Sequence, residues 1–239
     1  MNRDLGHGQE PMFNLPSAII VFIFVSAAVF VGQRYYLAEA GAENFFLTFC
    51  FTPLRYIAGV IMPGGAGAQA WTFVTYVFLN TSLSDLVFEM LWMMAFGSAL
   101  AFRFGTLRFA LFSGMSAAIG AAVFWVLSRD PQSVLIGPSF MISAQLGGAV
   151  RFVYQSGFSG MMTGDGNQWH VKALGIVEMW SNEKVLRLFG FIFVANALFA
   201  FIFGSHGGLS VTILMNVFGY IAGILLFSIF DRGSVNRIV

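Results

Sequence analysis

The stretch 209–230, LSVTILMNVFGYIAGILLFSIF, carries no charged side chain and is long enough to cross a bilayer as a single helix. An α-helix needs about 20 predominantly apolar residues to span about 30 Å of hydrocarbon. Five further apolar segments precede this one, so the sequence predicts an all-α, polytopic membrane protein with six transmembrane helices. The six segments are 13–36, 72–102, 107–127, 134–154, 186–203 and 209–230.

The overall composition favours the same class. Of 239 residues, 58% are hydrophobic and only 10% are charged, and 29 are Phe. A chain with so little polar surface cannot cover a soluble globule of this size. The formal net charge of +1 gives no long-range attraction to nucleic acid. We expect lipid and other membrane proteins as partners, and neither nucleic acid nor a soluble small-molecule substrate.

The second segment is too long for one simple crossing. Asn80-Thr81-Ser82 interrupts its apolar pattern, so we predict that the membrane helix begins near Leu83. Small residues let membrane helices approach closely. For this reason we interpret four intramembrane glycines as packing contacts rather than hinges: Gly97, Gly147, Gly148 and Gly223.

The basic residues indicate the orientation. With the amino terminus inside, nine of the 12 Lys and Arg residues fall on the inner side, which predicts that both termini are cytoplasmic. The outer residues are Arg34, Arg55 and Arg129, and the inner ones are Arg3, Arg103, Arg108, Arg151, Lys172, Lys184, Arg187, Arg232 and Arg237.

The predicted organisation is one membrane domain, 13–230, between polar tails at 1–12 and 231–239. An outer loop, 37–70, combines aromatic and basic residues, which is typical of segments that lie in the membrane interface. An inner loop, 155–185, is rich in turn residues and is predicted to end in a short helix.

Metal and cofactor sites are not expected. Cys50 is the only cysteine, so no internal disulfide or cysteine-built metal site is available. None of the three histidines, His7, His170 and His206, lies in a predicted span, which argues against axial ligation of a haem.

Asp85 and Glu89 are the sharpest functional candidates. Residues four apart project from one face of a helix, and ionisable groups inside a span are treated as functional by default. Three roles remain open for them. They are a structural hydrogen-bond network that includes Tyr220 and Ser139, the binding of a partner, and an ion or proton path.

The order of several motifs resembles that of the bacterial rhomboid family. The stretch 71–83 leads into a helix that ends at Phe104-Gly105, as at the second helix of rhomboids. The small-residue run 113–120 is similar to the face that their third helix uses for packing. The resemblance covers about residues 45–230 and implies a rhomboid-like bundle of six transmembrane helices.

The resemblance also locates the catalytic positions of a serine protease. Gly137-Pro138-Ser139-Phe140 falls where the family carries its nucleophile, and Gly219–Gly223 falls where it carries the general base. That second position is Tyr220 here. A phenol with an ordinary pKa of about 10 is protonated at neutral pH and accepts a proton poorly.

Other family positions differ as well. The residues that polarise the scissile carbonyl in the family correspond to Asn80, Asp85 and Glu89, and ionised carboxylates supply no hydrogen-bond donors to an oxyanion. The glycine after the family's serine is Phe140, and the acidic residue after its helix-two glycine is Ala101.

The resemblance therefore implies a catalytically degenerate pseudoprotease of the bacterial cytoplasmic membrane. Its function would be to bind transmembrane segments or membrane-protein partners, as an accessory subunit, regulator or chaperone, with Asp85, Glu89 and Phe140 as partner-binding residues. One alternative is an active intramembrane serine protease that uses Ser139, with His206 as an unconventional base. A further alternative is a proton or ion pathway through Asp85 and Glu89.

Overall fold

The computed structural model describes residues 15–37, 39–153, 171–203 and 209–231. These residues are helical apart from their connections, and their one β-type contact is an isolated bridge between Phe51 and Leu135. The all-α prediction is confirmed. The helices are α1 (Ser17–Val31), α2 (Glu39–Phe49), α3 (Ala68–Thr75), α4 (Leu83–Trp92), α5 (Ser98–Phe104), α6 (Thr106–Leu127), α7 (Ser139–Val153), α8 (Ile176–Ser181), α9 (Glu183–Phe203) and α10 (Leu209–Phe230).

Short π-helical and 3₁₀-helical segments lie next to or between these α-helices. π-helical turns prolong α1 over Gly32–Tyr36 and join α4 to α5 over Met93–Gly97, whereas 3₁₀ turns form at Pro53–Tyr56 and Tyr76–Phe78. Because of the π-helical join, α4 and α5 form one continuous rod.

Four helical stretches in the described part of the chain are long and apolar enough to cross a membrane. They are Ser17–Tyr36, Leu83–Phe104, Thr106–Leu127 and Val211–Phe230. The predicted segments 134–154 and 186–203 contain the helices α7 and α9. The described length of α7 is 15 residues, or about 22 Å at 1.5 Å per residue. The count of six spans therefore stays a prediction.

The start of α4 confirms the predicted break. Ser82 is the N-cap of α4, and its hydroxyl accepts a hydrogen bond of 3.1 Å from the backbone N–H of Asp85. At the other end of the rod, Gly105 adopts a φ of +78°, which lets the chain reverse directly into α6. Sequence and structure agree on both boundaries of this rod.

The central helix of the bundle is α7. Every residue from Phe140 to Val153 is buried, although that stretch includes Gln145 and Arg151. Gln145 donates a hydrogen bond of 3.0 Å to Ser113 on α6. A helix buried on all sides is covered by its neighbours, and α7 packs most closely against α10.

Glycines set the distance between α7 and α10. A Cβ added at Gly147 would collide with the backbone of Tyr220, and one added at Gly223 would collide with the backbone of Ala144. The packing role predicted for Gly147 and Gly223 is confirmed. Gly97 and Gly148 also face neighbouring side chains at short range, as predicted.

Two arginines join the helices at the opposite end of the bundle from Ser139. Arg103 of α5 forms a bidentate ion pair with Asp231, with N–O distances of 3.0 and 2.9 Å. Arg151 of α7 donates 2.6 and 3.0 Å hydrogen bonds to the Ser228 hydroxyl and the Leu174 carbonyl. These contacts connect α5, α7, α10 and the segment before α8.

The segment 37–70 has a structure of its own. Its helix α2 is followed by the buried Arg55, which donates to the carbonyls of Leu47 and Pro63. Tyr56 stacks on Trp125 of α6 with ring centroids 4.4 Å apart. The predicted location of this segment in the membrane interface stays a prediction.

The inner loop ends in a short helix, as predicted, because α8 occupies Ile176–Ser181. Its earlier part, 154–170, lies outside the described residues, and so do the tails 1–14 and 232–239.

Candidate functional site

A cavity of about 130 Å³ lies between α4, α7, α9 and α10. Its wall is mainly apolar, with contributions such as Phe88, Trp92 and Met215. Five polar residues that the sequence singled out also line it: Asn80, Asp85, Glu89, Ser139 and Tyr220. Asn216 of α10 lines it as well. The fold therefore brings Asn80, Asp85, Glu89, Ser139 and Tyr220 around one space.

Ser139 is the first residue of α7 and is solvent-exposed at the side of this cavity. Its hydroxyl makes no side-chain hydrogen bond to any residue that the structure describes. A serine at the first turn of a helix projects from the end of that helix, where the backbone N–H groups are unsatisfied. Ser139 is therefore accessible, and its hydroxyl is not hydrogen-bonded to a base among the described residues.

The loop that carries Ser139 is fixed from both sides. Gly137 adopts a φ of +84°, a conformation that favours glycine, and its N–H donates a 3.0 Å hydrogen bond to the carbonyl of Tyr76. Two residues earlier, Leu135 pairs with Phe51 through backbone hydrogen bonds of 2.8 and 3.2 Å.

Tyr76 anchors this arrangement from the core. Its hydroxyl donates a 3.0 Å hydrogen bond to the carbonyl of Ala117 on α6. Complete burial raises the pKa of Tyr76 above its ordinary value, so the phenol stays neutral and acts as a donor.

Near Ser139, α10 pairs with α7 through Asn216. Ser143, one turn after Ser139, donates a 3.0 Å hydrogen bond to the Asn216 Oδ1 atom. Tyr220 lies one turn further along α10, and its buried hydroxyl approaches Ser143 without forming a hydrogen bond of normal geometry. Opposite the serine helix, α10 therefore presents an amide and a phenol.

Sequence reasoning singled out Tyr220 and missed Asn216 and Ser143. The available signal was helical spacing. Asn216, Gly219 and Gly223 share one face of α10 at intervals of three and four residues, and Asn216 is the strongly polar residue of that apolar helix.

The carboxylate of Glu89 lies beside the serine loop. One of its oxygens would be 3.0 Å from a Cβ added at Gly137, and the other accepts a hydrogen bond from the Asn80 amide. Asp85 is closer to the start of α4 and accepts a 3.0 Å hydrogen bond from Thr81. Both carboxylates therefore belong to hydrogen-bonded arrangements at the wall of the cavity.

Phe140 is 2% exposed. Its ring packs on Gly120 of α6, where an added Cβ would come within 2.8 Å of the ring. Phe140 also lines the cavity. Its role in partner binding stays a prediction.

None of the described residues around the cavity is a histidine, because all three histidines lie outside the described ranges. The role of His206 as a base for Ser139 stays a prediction, because His206 lies outside the described residues. Within residues 15–37, 39–153, 171–203 and 209–231, no group of three His, Cys, Asp or Glu side chains is arranged to hold a metal ion.

The comparison with protein families agrees with this fold. The sequence profile of the Rhomboid domain matches residues 67–232, which is more than half of the chain. The chain belongs to the rhomboid family and is an integral membrane protein. Members of this family are usually serine proteases. Comparison with curated proteins gave no match.

Proposed function

We propose that this rhomboid-family protein binds transmembrane segments of other membrane proteins at its cavity and does not hydrolyse them. It would act as an accessory subunit, regulator or chaperone of a membrane complex. Its proposed location is the bacterial cytoplasmic membrane, with both termini inside. The observation that carries the proposal is the pairing of Ser143 with Asn216 across from Ser139.

The proposal rests first on the chemistry of the serine. A serine hydroxyl becomes a nucleophile when a neighbouring base accepts its proton during the attack. Asn216 has an amide that forms hydrogen bonds but does not titrate, and Tyr220 has a phenol that is protonated at neutral pH. Neither side chain performs the role that a histidine performs in a serine protease.

The second support is the charge of the cavity. A tetrahedral intermediate carries a negative oxygen that needs hydrogen-bond donors. The wall of this cavity carries the carboxylates of Asp85 and Glu89, and the donor group of Asn80 is already directed to Glu89. Carboxylate oxygens are hydrogen-bond acceptors, so they do not match the donors that a developing oxyanion needs.

The third support is access from the side. Helix α9 packs lightly on α7 and α10, whereas α7 and α10 pack closely. It contributes Ile192 and Asn196 to the cavity wall. Its opposite side exposes Phe191, Val194 and Leu198, which suits contact with lipid or with another apolar helix. A small outward shift of α9 would open the cavity to a segment that lies in the membrane.

The first alternative, an active protease, has one observation in its favour, the accessible hydroxyl of Ser139. The histidine that could serve as its base is His206, which lies outside the described residues. The second alternative, a proton or ion path, is favoured by the two carboxylates in the cavity wall. It predicts pH-dependent flux in liposomes that is lost in the double variant Asp85→Asn, Glu89→Gln.

Binding without cleavage can be measured directly. The purified full-length protein, reconstituted in phosphatidylcholine vesicles with a donor fluorophore, is titrated with an acceptor-labelled single-span peptide. The proposal predicts saturable energy transfer and an intact peptide on a gel after prolonged incubation. Peptide cleavage that disappears in Ser139→Ala would contradict it.

A further inference from the structure

We propose that the cavity receives a lysine or arginine side chain from the transmembrane segment of the partner, with Glu89 and Asp85 as the counter-charges. This inference rests on the proposed function, because it specifies which segments the cavity binds. The ligand chemistry is an alkylammonium or guanidinium group presented by a membrane-spanning helix.

The first argument is charge. Among the described residues that line the cavity, the acidic ones are Asp85 and Glu89, and none is a lysine or arginine. The cavity is therefore complementary to a cation.

The second argument is a buried acceptor. Asn80 is 8% exposed and lines the cavity, and its amide nitrogen donates to Glu89. Its Oδ1 atom is buried without a hydrogen-bond partner in the described residues. A buried polar atom without a partner is unfavourable. An ammonium or guanidinium group at Glu89 would donate to this oxygen as well, because both cations carry several N–H donors.

The third argument is an aromatic wall beside the acceptors. Trp92 lines the cavity, and its ring stacks on Phe96 with an interplanar angle of 10° and a centroid distance of 5.4 Å. Aromatic faces attract cations, and apolar walls accommodate the methylene stem of lysine or arginine.

The depth of the carboxylates specifies where the basic residue must lie. Glu89 is six residues after the start of α4, which is roughly 9 Å along the helix at 1.5 Å per residue. A basic residue about two turns inside the partner's span would meet it. Such a residue is unfavourable in lipid, so pairing it with a carboxylate favours association.

The test uses the full-length protein in phosphatidylcholine vesicles, which carry no net lipid charge. Three labelled peptides of leucine and alanine span the bilayer, with lysine, glutamine or leucine in the second turn from each end. We expect the lysine peptide to bind at least tenfold more tightly than the leucine and glutamine peptides. Glu89→Gln should remove that preference, so that the lysine and glutamine peptides bind the variant equally.

Glu183→Gln is the matched control, because Glu183 is an exposed carboxylate in a surface ion pair. It should keep the full preference for lysine. Equal binding of the three peptides to the unmodified protein overturns the inference and leaves the proposed function standing. Failure of all three peptides to bind contradicts both.

Two further results would also overturn the inference. One is a lysine preference that survives in the double variant Asp85→Asn, Glu89→Gln. The other is saturable binding of hexylammonium ion without any preference among the peptides, which would mean that the cavity takes a free amine. The comparison of the three peptides is made on the unmodified protein, so it tests the inference even if a variant fails to fold.

Discussion

Ser143 of α7 donates a 3.0 Å hydrogen bond to Asn216 of α10, and this contact joins the helix that begins with Ser139 to the helix that would have to supply its base. The side chains are separated by 73 residues in sequence and both are buried. An interhelical hydrogen bond at this point stabilises the packing of α7 on α10 and keeps an amide beside the cavity.

The strength of this contact is measurable. Ser143→Ala, Asn216→Ala and the double variant form a double-mutant cycle. We expect a coupling energy of about 0.6 kcal/mol, the mean that double-mutant cycles give for hydrogen bonds between membrane helices. Reversible unfolding in mixed micelles measures each free energy. Ser181→Ala, which removes an exposed hydroxyl on α8, is the control. A coupling energy near zero between Ser143 and Asn216 would show that these two side chains act independently.

The glycines between α7 and α10 should tolerate no side chain. Gly223→Ala forces a Cβ into the backbone of Ala144, so we expect a loss of about 2 kcal/mol or more in the free energy of unfolding. Gly114→Ala is the matched control, because an added Cβ on that face of α6 meets no atom within 4 Å. The control should be neutral or slightly stabilising, since alanine favours helices. Equal effects of the two substitutions would contradict the packing described above.

The ion pair between Arg103 and Asp231 should contribute more to the free energy of unfolding than an ion pair at the surface does. The two side chains are 3% and 16% exposed, so Asp231→Asn leaves a buried guanidinium without its counter-charge. Breaking such a pair costs about 3 kcal/mol. Glu183→Gln breaks the exposed pair with Arg187 and should cost less than about 1 kcal/mol. Thermal unfolding of both variants under one set of conditions provides the comparison.

Cys50 should react slowly with thiol reagents. Burial raises the pKa of its thiol to about 11, and the neighbouring Arg55 offsets this only in part. At pH 8 the thiolate fraction is then about one in a thousand, and the thiolate is the reactive form. Maleimide labelling of the folded protein should be slow at pH 8, should accelerate as the pH approaches 11, and should be rapid at pH 8 in denaturing detergent. Fast labelling of the folded protein at pH 8 would contradict the burial of this thiol.

Much of the architecture follows from local features of the sequence. The apolar segments predicted helices, and the Asn80-Thr81-Ser82 break predicted the start of α4, because Ser82 caps that helix through its own side chain. Asp85 and Glu89 are four residues apart, and this spacing is likewise read directly from the sequence. Their common location on the wall of the cavity follows once α4 is helical.

The contacts between distant segments could not be predicted in this way. The register of α10 against α7 depends on backbone contacts at Gly147 and Gly223, and a shift of one turn would place Tyr220 where Asn216 now lies. The pairing of Arg103 with Asp231 joins residues 128 positions apart. No helical period in one sequence specifies which residues of two helices meet.

The most direct test of the central claim is labelling by a fluorophosphonate probe, which forms a covalent bond with an activated serine. The full-length protein in vesicles is incubated with a fluorescent fluorophosphonate beside an active rhomboid protease, and the labelled bands are compared on a gel. The account predicts no labelling of Ser139 above that of the Ser139→Ala variant. Strong labelling that disappears in Ser139→Ala would contradict it.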